Sequence, residues 1–480
     1  MPHHIHQDRP DRTNRPDRLR RPDDRARAAW SDFCAVAASP GLRRRMLAEQ
    51  QGPGDLVQTL AAQPAIAPGT RPPGFDDGTI IPADDFPPGT PQFTVMTAAG
   101  TRKPLRGEVR VAVVLADFSD KPMATTEQHF EELFFSLGVL PNGSVREYFR
   151  EVTHGLVDIV GEVVGPLRLP QPLAWYANDN SGVGTPSGAA RAPIMAREAA
   201  LAADGAIDFG PYDNDGNGFV DAFIVVHAGT GGETSGSRGD LWSHKWVLPK
   251  AHVTDGTKVY AYLTIPEDAK IGVCAHELGH LLFGFPDLYD TDGSSEGAGD
   301  WCLMSGGSWG GDGDVPVHPS AWCKVQQGWA QATVVAANGS VTFDDVKSSR
   351  TVHRLWKAGA GAGAGGSEYF LVENRQRSGY DVSLPAGGLL VWHINEGRED
   401  NADEKSGYKV ALLQADALRD LEGDRNGGDC GDPFPGSSGN TSLTEATSPS
   451  SLSHAGVDSG VRLSDISAAD GSVTARVTVV

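Results

Sequence analysis

The chain has 480 residues, of which 39% are apolar and 59 are glycine, and this predicts two or three globular domains with full hydrophobic cores. A formal charge of −21 argues against a nucleic-acid partner, because phosphate recognition needs a basic face. No apolar run approaches the roughly 18 residues of a membrane-spanning helix, so no membrane span is predicted.

Residues 1–104 are predicted to form a disordered arm followed by a leader or pro-segment. Residues 1–30 repeat arginine, aspartate and proline with few apolar side chains, a composition typical of disorder. A short charged helix is expected over 42–51, and a proline- and glycine-rich stretch follows it. The longest apolar run before it, 33–38, is too short for the 7–15-residue core of a signal peptide, so no signal peptide is recognised.

The globular part is predicted to begin near Val109. The apolar run 111–116 predicts a buried strand, and 126–137 and 144–152 are expected to be helical. A strand over 156–163 and an alanine-rich helix over 189–203 follow. Because helices and strands interleave, the predicted class is mixed, and we assign it as α+β.

A loop rich in oxygen-bearing side chains precedes the apolar strand 223–227. Its oxygens stand at positions 1, 3, 5, 7 and 9 of a calcium-loop pattern, position 7 through its backbone carbonyl: Asp213, Asp215, Asn217, Phe219 and Asp221. Gly218 takes position 6, where a calcium loop turns sharply, but Ile224 stands where an EF-hand has glutamate. The sequence therefore predicts a structural Ca²⁺ site that is not an EF-hand, with Asp208 as a further ligand. The alternative is an Asp/Asn/Gly turn without metal.

The stretch 271–290, IGVCAHELGHLLFGFPDLYD, contains an HExxH pattern. On a helix, His276 and His280 lie one turn apart on the same face, so both imidazoles can bind one zinc ion. Glu277 lies one step around the helix, where a carboxylate can take a proton from a water molecule that attacks a carbonyl. The alternative is a buried amphipathic helix with two hydrogen-bonded histidines.

The residues after this helix favour the metal site. Gly284 and Pro286 end the helix, and Asp287 and Asp290 follow as candidates for a third ligand. The stretch WCLMSGGSW then places Met304 in a glycine-rich turn, as in the Met-turn beneath the metal of many zinc peptidases.

From residue 334 the pattern changes to short alternating segments separated by glycine- and serine-rich turns. The predicted strands are 340–343, 369–373, 388–394, 409–414 and 472–479. They predict a β-sandwich-like domain at 334–480 after a catalytic domain at 105–333.

Seven stretches in order carry a resemblance to the immune inhibitor A-like zinc metallopeptidases. They are DFGPYDNDGNGFVDAFIVVHAG, LWSHKW, GVCAHELGHLLFGFPDLYD, GDWCLMSGGSW, PSAWCKVQQGW, GLLVWHINE and GDCGDPFPG, and they lie between residues 111 and 466. The resemblance implies a secreted endopeptidase with a zincin (metzincin-like) catalytic domain and a β-rich region after it.

The resemblance also implies zinc ligation by His276, His280 and Asp287, with Glu277 as the general base. One departure concerns the third ligand. The family usually has two residues between the second histidine and the glycine, whereas this chain has the three residues 281–283, so Asp290 is kept as the reserve ligand.

The sequence therefore predicts a monomeric zinc endopeptidase that acts on proteins or peptides and is extracellular by family resemblance. Tyr289 is named as a guess for the side chain that stabilises the oxyanion. A further hypothesis is that the Cys34 thiolate occupies the open position on zinc until the leader is removed.

The alternative function is a catalytically weak or inactive zinc-containing module that binds an extracellular polymer. A closed structural zinc site needs four protein ligands, and no fourth ligand lies near the motif in the sequence.

Overall fold

A computed structural model describes residues 33–49, 104–184, 189–291, 293–357, 367–398 and 400–480. The predicted disordered arm at 1–30 and most of the predicted leader lie outside these residues. Among the helices that the model describes, none combines the length and the apolar character needed to cross a bilayer.

Strands and helices are numbered here in chain order over the described residues. The strands are β1 (Cys34–Ala35), β2 (Gly107–Asp117), β3 (Val157–Arg168), β4 (Phe223–His227), β5 (His244–Thr254), β6 (Thr257–Pro266), β7 (Gln331–Val334), β8 (Gly339–Phe343), β9 (Thr351–Leu355), β10 (Glu368–Arg375), β11 (Gly388–Asn395), β12 (Val410–Leu412), β13 (Val461–Ala469) and β14 (Ser472–Val479). The helices are α1 (Pro40–Glu49), α2 (Glu127–Phe135), α3 (Val145–Val152), α4 (Leu173–Ala177), α5 (Ala192–Ala203), α6 (Gly232–Ser235), α7 (Ile271–Phe283), α8 (Ala321–Gln326) and α9 (Val346–Ser349). The chain is a mixed α/β protein, as the interleaved pattern predicts.

The first sheet has the strand order β1-β5-β6-β4-β2-β3. Strands β2, β3, β4 and β6 are parallel, whereas β5 runs antiparallel to β6 and β1 antiparallel to β5. Alternate side chains of β2 enter two different cores, Val111, Val113 and Leu115 on one face and Ala112, Val114 and Ala116 on the other. Helices α2, α3 and α7 cover the first face and α5 the second, which explains why this strand is a continuous apolar run.

Local capping explains where the helices begin and end. Thr126 accepts a hydrogen bond from the backbone of His129 at the start of α2, and Ser144 does the same for Glu147 in α3. Helix α7 ends at Gly284, whose φ of 62° is the left-handed conformation that glycine adopts without strain. The sequence predicted each of these boundaries to within about two residues.

The remainder of the chain forms two further sheets, with the orders β12-β11-β10-β9-β7 and β13-β14-β8. One hydrophobic core combines side chains of both sheets, including Phe370 and Val391 from one and Leu463 and Val473 from the other. The core around α7 also continues into the second sheet, through side chains such as Trp392. The predicted boundary at residues 333 and 334 falls inside β7, which pairs with β9.

A buried ion pair ties the second sheet to the segment that contains Met304. Arg375 donates to Asp381 from Nε at 3.0 Å and also from Nη2, and both side chains are fully buried. The same guanidinium donates to the backbone carbonyls of Trp301 at 2.6 Å and His318 at 3.2 Å. Although burial opposes ionisation, the charge of Arg375 holds the pKa of Asp381 well below its usual range.

We predict that Asp381→Ala lowers the free energy of unfolding by about 3–5 kcal/mol, because it leaves the Arg375 charge buried without its carboxylate. Urea denaturation followed by tryptophan fluorescence measures the change. Lys405→Ala is the matched control: its side chain is 80% exposed, so a change within about 0.5 kcal/mol is expected. A loss below about 1 kcal/mol for Asp381→Ala would show that the pair does not hold these segments together.

Candidate metal centre and active site

Helix α7 brings the two histidines of the HExxH pattern together. His276 and His280 lie one turn apart on a helix whose residues are all buried, and their ring centroids are 4.7 Å apart. Their Nε2 atoms are separated by only 3.0 Å. The spacing therefore does what the sequence predicted, since both imidazoles point at one place.

Asp287 completes a triangle with these nitrogens. Its Oδ1 lies 3.2 Å from Nε2 of His276 and 3.1 Å from Nε2 of His280. The turn at Gly284 reverses the chain, and the neighbouring Leu288 donates to the backbone of the Met-turn at 2.7 Å, which fixes the carboxylate. Asp290, the reserve ligand, instead accepts hydrogen bonds from Ser294 and Ser295.

The outer nitrogens of the rings determine the histidine tautomers. Nδ1 of His276 lies 2.9 Å from the carbonyl oxygen of Leu303, and Nδ1 of His280 lies 2.5 Å from that of Phe285. A carbonyl oxygen only accepts, so each Nδ1 carries the proton and each neutral ring has a lone pair on Nε2. Three lone-pair atoms then face one another within 3.2 Å. Ligands at 2.0–2.1 Å around a tetrahedral zinc ion would be about 3.3 Å apart, so the triangle fits such an ion.

The pKa shifts of the three residues of the triangle also favour a positive charge between them. Burial lowers the pKa of His276, which favours its neutral form. Burial acts in the same direction on His280, but the anionic groups around it outweigh burial and raise its pKa well above the ordinary value. Although burial opposes it, His280 together with His276 lowers the pKa of Asp287 to about 2. A cation, either a proton or a metal ion, is thus stabilised between these groups.

Glu277 is buried beside the triangle without a partner. Neither of its carboxylate oxygens has a hydrogen-bond partner among the described residues, although the side chain has no solvent exposure. Burial raises its pKa well above the ordinary value. A buried carboxylate without partners is costly, so its presence here indicates a group, such as water, that binds in front of it.

The sulfur of Met304 packs against α7 at Gly279. A Cβ atom on Gly279 would come within 2.7 Å of the sulfur of Met304, so this contact requires glycine between the two histidines. The extra residue before Gly284 lengthens the helix rather than displacing Asp287. Phe283 is buried, and its ring packs edge-to-face against Trp329 at 4.8 Å.

The loop predicted to bind calcium also assembles oxygen atoms. Carboxylate oxygens of Asp213, Asp215 and Asp221 lie within 4.8 Å of one another. Oδ1 of Asn217 instead accepts a hydrogen bond from the backbone of Phe219 at 2.8 Å. The structure therefore brings together three of the predicted acidic ligands. Asp208, the further ligand of the prediction, accepts from Gly210 and is not part of this group.

Two residues near the site, Cys34 and Glu233, lie far from the HExxH motif in the sequence, and no pattern around that motif predicts them. Sγ of Cys34 and the nearest ligand atoms of His280 and Asp287 all lie within 4.8 Å of one another, although more than two hundred residues separate Cys34 from the motif. Glu233 is buried and accepts hydrogen bonds from the backbone and the hydroxyl of Ser243, and burial raises its pKa to about 7. The pattern around Cys34 suggested a latency role only as one hypothesis, and nothing in the sequence pointed to Glu233.

Comparison with known proteins finds a family similar to part of this chain. Residues 110–336 match the family described as immune inhibitor A peptidase M6, catalytic domain. The chain is 32% identical over 270 residues to the pre-pro-metalloprotease PrtV of Vibrio cholerae serotype O1, a match that covers 45% of this chain and 29% of that protein. It is 30% identical over 275 residues to immune inhibitor A of Bacillus thuringiensis subsp. alesti, covering 45% of this chain and 39% of that protein.

The matches thus span less than half of the length of these relatives. They confirm the resemblance that the ordered motifs indicated. Residues 110–336 are therefore similar to the catalytic domain of the immune inhibitor A peptidase family M6, and one of the matched relatives is a metalloprotease by name.

Proposed function

We propose that the chain is a zinc-dependent endopeptidase that hydrolyses peptide bonds of protein or peptide substrates. The observation that carries this proposal is the buried Glu277 carboxylate, which lacks a partner among the described residues and lies beside three metal-ligand atoms within 3.2 Å of one another. A structural metal site needs no such carboxylate, whereas hydrolysis by activated water does.

His276, His280 and Asp287 would hold the zinc ion through two nitrogens and one oxygen, a donor set typical of catalytic zinc. Bound there, zinc would supply a Lewis acid that lowers the pKa of a water molecule and polarises a carbonyl oxygen. The backbone carbonyls that accept from the two Nδ1 atoms fix the direction of both rings. Met304 supports these ligands from below without binding the metal.

Glu277 serves as the general base. It takes a proton from the attacking water and passes it to the leaving amine, so the carboxylate is restored at the end of each cycle. Its burial excludes bulk water, and the raised pKa brings its basicity closer to that of a proton acceptor at neutral pH.

We infer that Tyr289 stabilises the oxyanion. Its hydroxyl donates a hydrogen bond of 2.7 Å to the carbonyl oxygen of Ala35, one residue after Cys34. The ring centroid of Tyr289 lies 6.5 Å from that of His276, so this donor to a peptide carbonyl neighbours a metal-ligand residue. A substrate carbonyl in this position would receive the same hydrogen bond, which strengthens as negative charge develops.

The mixed sheet, with α7 packed on the same face as α2 and α3, supports a zincin-like fold for residues 105–333. The core shared by the last two sheets supports a β-sandwich-like arrangement within 334–480. The family resemblance supports a secreted, extracellular protein with a removable leader within 1–104, and we expect it to act as a monomer.

A structural Ca²⁺ ion in the loop at Asp213 is part of the proposal. The three clustered carboxylates there carry like charges within 4.8 Å, and a divalent cation offsets their repulsion. The loop leads into β4 next to the centre of the first sheet, so the ion would tie down the start of that strand.

One observation favours the alternative function, a zinc-containing binding module without strong activity. Cys34 offers a fourth protein ligand, and four protein ligands close a structural zinc site. Gelatin zymography with and without a chelator separates the alternatives: chelator-sensitive clearing supports the peptidase, and its absence after release of the leader supports the module.

Replacing the general base is expected to abolish cleavage and to spare the metal. Glu277→Ala should keep one zinc per chain and the parent fold, while casein hydrolysis falls by a factor of about 10²–10⁴. Both proteins are assayed before and after limited trypsin treatment, with trypsin then blocked by a serine-protease inhibitor. Glu108→Ala, a change at an exposed carboxylate on β2, is the control and should leave cleavage unchanged. Normal cleavage by Glu277→Ala would refute the mechanism.

Loss of the proposed oxyanion donor has a different signature. Tyr289→Phe should lower kcat about 10²-fold at nearly unchanged KM, because the hydroxyl acts mainly in the transition state. Zinc content by atomic absorption should stay at the parent level. If KM rises while kcat is retained, Tyr289 binds the ground state and is not an oxyanion donor.

Calcium removal tests the loop at Asp213. We expect EGTA to lower the Tm of the parent protein by several degrees, since the ion stabilises only the folded state, and excess Ca²⁺ should restore it. Asp215→Ala should have a lowered Tm that no longer responds to EGTA. A Tm of the parent that is independent of Ca²⁺ contradicts the proposed site.

A further inference from the structure

Residues 33–46, called here the N-terminal segment, lie across the candidate active site. Its strand β1 joins the edge of the first sheet, where Cys34 pairs with Lys245 and Ala35 with His244 in antiparallel register. Strand β5 is otherwise the outermost strand of that sheet on this side, among the described residues. The segment thus adds a strand to the outer edge of β5.

Side chains of the cleft hold the backbone of the segment. The indole of Trp242 donates to the carbonyl of Val36 at 2.8 Å, and the indole of Trp309 donates to that of Ala37 at 3.0 Å. The amide of Val36 donates to the carbonyl of Ser243 at 3.3 Å. These contacts recognise main-chain atoms, as a cleft that binds peptides requires.

Apolar contacts hold its two ends. Phe33 is 3% exposed, and its ring centroid lies 5.3 Å from that of His244 and 5.0 Å from that of Trp246. Leu42 in α1 is 2% exposed and packs so closely on Gly236 that a Cβ atom there would come within 2.7 Å of it. Burial of these side chains favours the docked segment.

Polar contacts on the far side complete the docking. Arg43 donates to both carboxylate oxygens of Glu296 at 2.5 Å, and its Nη2 lies 3.3 Å from Asp424. The amide of Ser39 donates to the carbonyl of Glu233 at 2.8 Å. The bidentate Arg43 contact fixes the direction in which α1 leaves the cleft.

This docking places a thiol at the metal centre. Sγ of Cys34 lies within 4.8 Å of both the His280 nitrogen and the Asp287 oxygen. Thiolate is among the strongest ligands for zinc, and three protein ligands leave one position for it. The Glu277 carboxylate has no hydrogen-bond partner among the residues that the structure describes, which supports a water molecule in that position during hydrolysis.

We propose that Cys34 is the fourth metal ligand of a latent form, in which the N-terminal segment occupies the substrate edge of β5 and excludes the catalytic water. This inference rests on the proposed peptidase function and names its regulation. On binding, the Cys34 thiol would give its proton to solvent, and its sulfur would replace a water molecule as the fourth ligand. Removal of the segment reverses both changes, and water takes the position in front of Glu277.

The first test is spectroscopic and independent of activity. The full chain is loaded with Co²⁺, and a thiolate ligand gives a charge-transfer absorption band in the near ultraviolet. We expect the band in the parent protein, its loss in Cys34→Ala and its retention in Cys430→Ser, which changes an exposed cysteine elsewhere. We also expect the Cys34→Ala protein to lose zinc to a competing chelator at least about 10-fold more readily, since it has one ligand fewer.

The second test follows latency in the same proteins loaded with zinc. Cys34→Ala should cleave casein at least about 10-fold faster than the untreated parent, and Cys430→Ser should match the parent. Val36→Pro removes the amide that donates to Ser243 and keeps the thiol, so it should weaken the band and raise activity part of the way. Trypsin treatment should bring the parent and both active variants to similar rates.

The outcomes separate the two proposals. A parent without the band that cleaves casein as fast as Cys34→Ala overturns latency and leaves the peptidase standing. A band that disappears in Cys34→Ala while neither protein gains activity, even after trypsin treatment, supports the ligation and overturns the peptidase in favour of a closed structural site. A band that persists in Cys34→Ala overturns the assignment of the sulfur ligand.

Discussion

The mutual approach of three lone-pair atoms is the constraint on which the rest of the site depends. Two imidazole nitrogens and a carboxylate oxygen lie within 3.2 Å of one another, in surroundings that exclude water. Such an arrangement is repulsive unless a cation lies between the atoms. Much of the surrounding structure serves to keep them there: backbone carbonyls hold the outer ring nitrogens, glycine lets the Met304 sulfur approach the helix, and a left-handed turn returns the chain to Asp287.

The region after residue 333 contributes to this constraint. Arg375, at the end of β10, donates to the carbonyl of Trp301 just before the Met-turn, and Asp381 neutralises its charge inside the core. The hydrophobic core around α7 extends to side chains of the second sheet. The floor of the metal centre is therefore supported by residues far along the chain, and the first sheet alone does not hold it.

Local rules of sequence were enough for α7 and its surroundings. Helical spacing placed both histidines on one face, and Gly284 marked the end of the helix. The family motif gave Asp287, and the structure brings that residue to the histidines despite the extra residue in the helix, because Phe283 finds a place against Trp329. The apolar run of β2 likewise predicted a strand buried on both faces. These features depend on neighbours within a few residues, where periodicity and capping act.

Contacts between distant parts of the chain could not be predicted from periodicity and capping. The approach of Cys34 to His280, the burial of Glu233 and the pairing of Arg375 with its carboxylate all depend on how whole sheets and helices dock. Cys34 is a lone cysteine in a proline-rich leader. No periodic pattern or residue spacing links it to a helix more than two hundred residues away. The sequence could raise the idea of a latency ligand, but only the register of β1 on β5 gave it a position.

The pairing of β1 with β5 bears on which substrates the proposed peptidase could bind. Trp242 and Trp309 hold the N-terminal segment through the backbone carbonyls of Val36 and Ala37. Backbone carbonyls are common to every polypeptide. In the proposed peptidase, selection among substrates would then depend on side-chain contacts, such as those that Phe33 makes with His244 and Trp246. For the proposed peptidase, a substrate that paired with β5 in the same way would have to be extended, because folded proteins keep their strands paired internally.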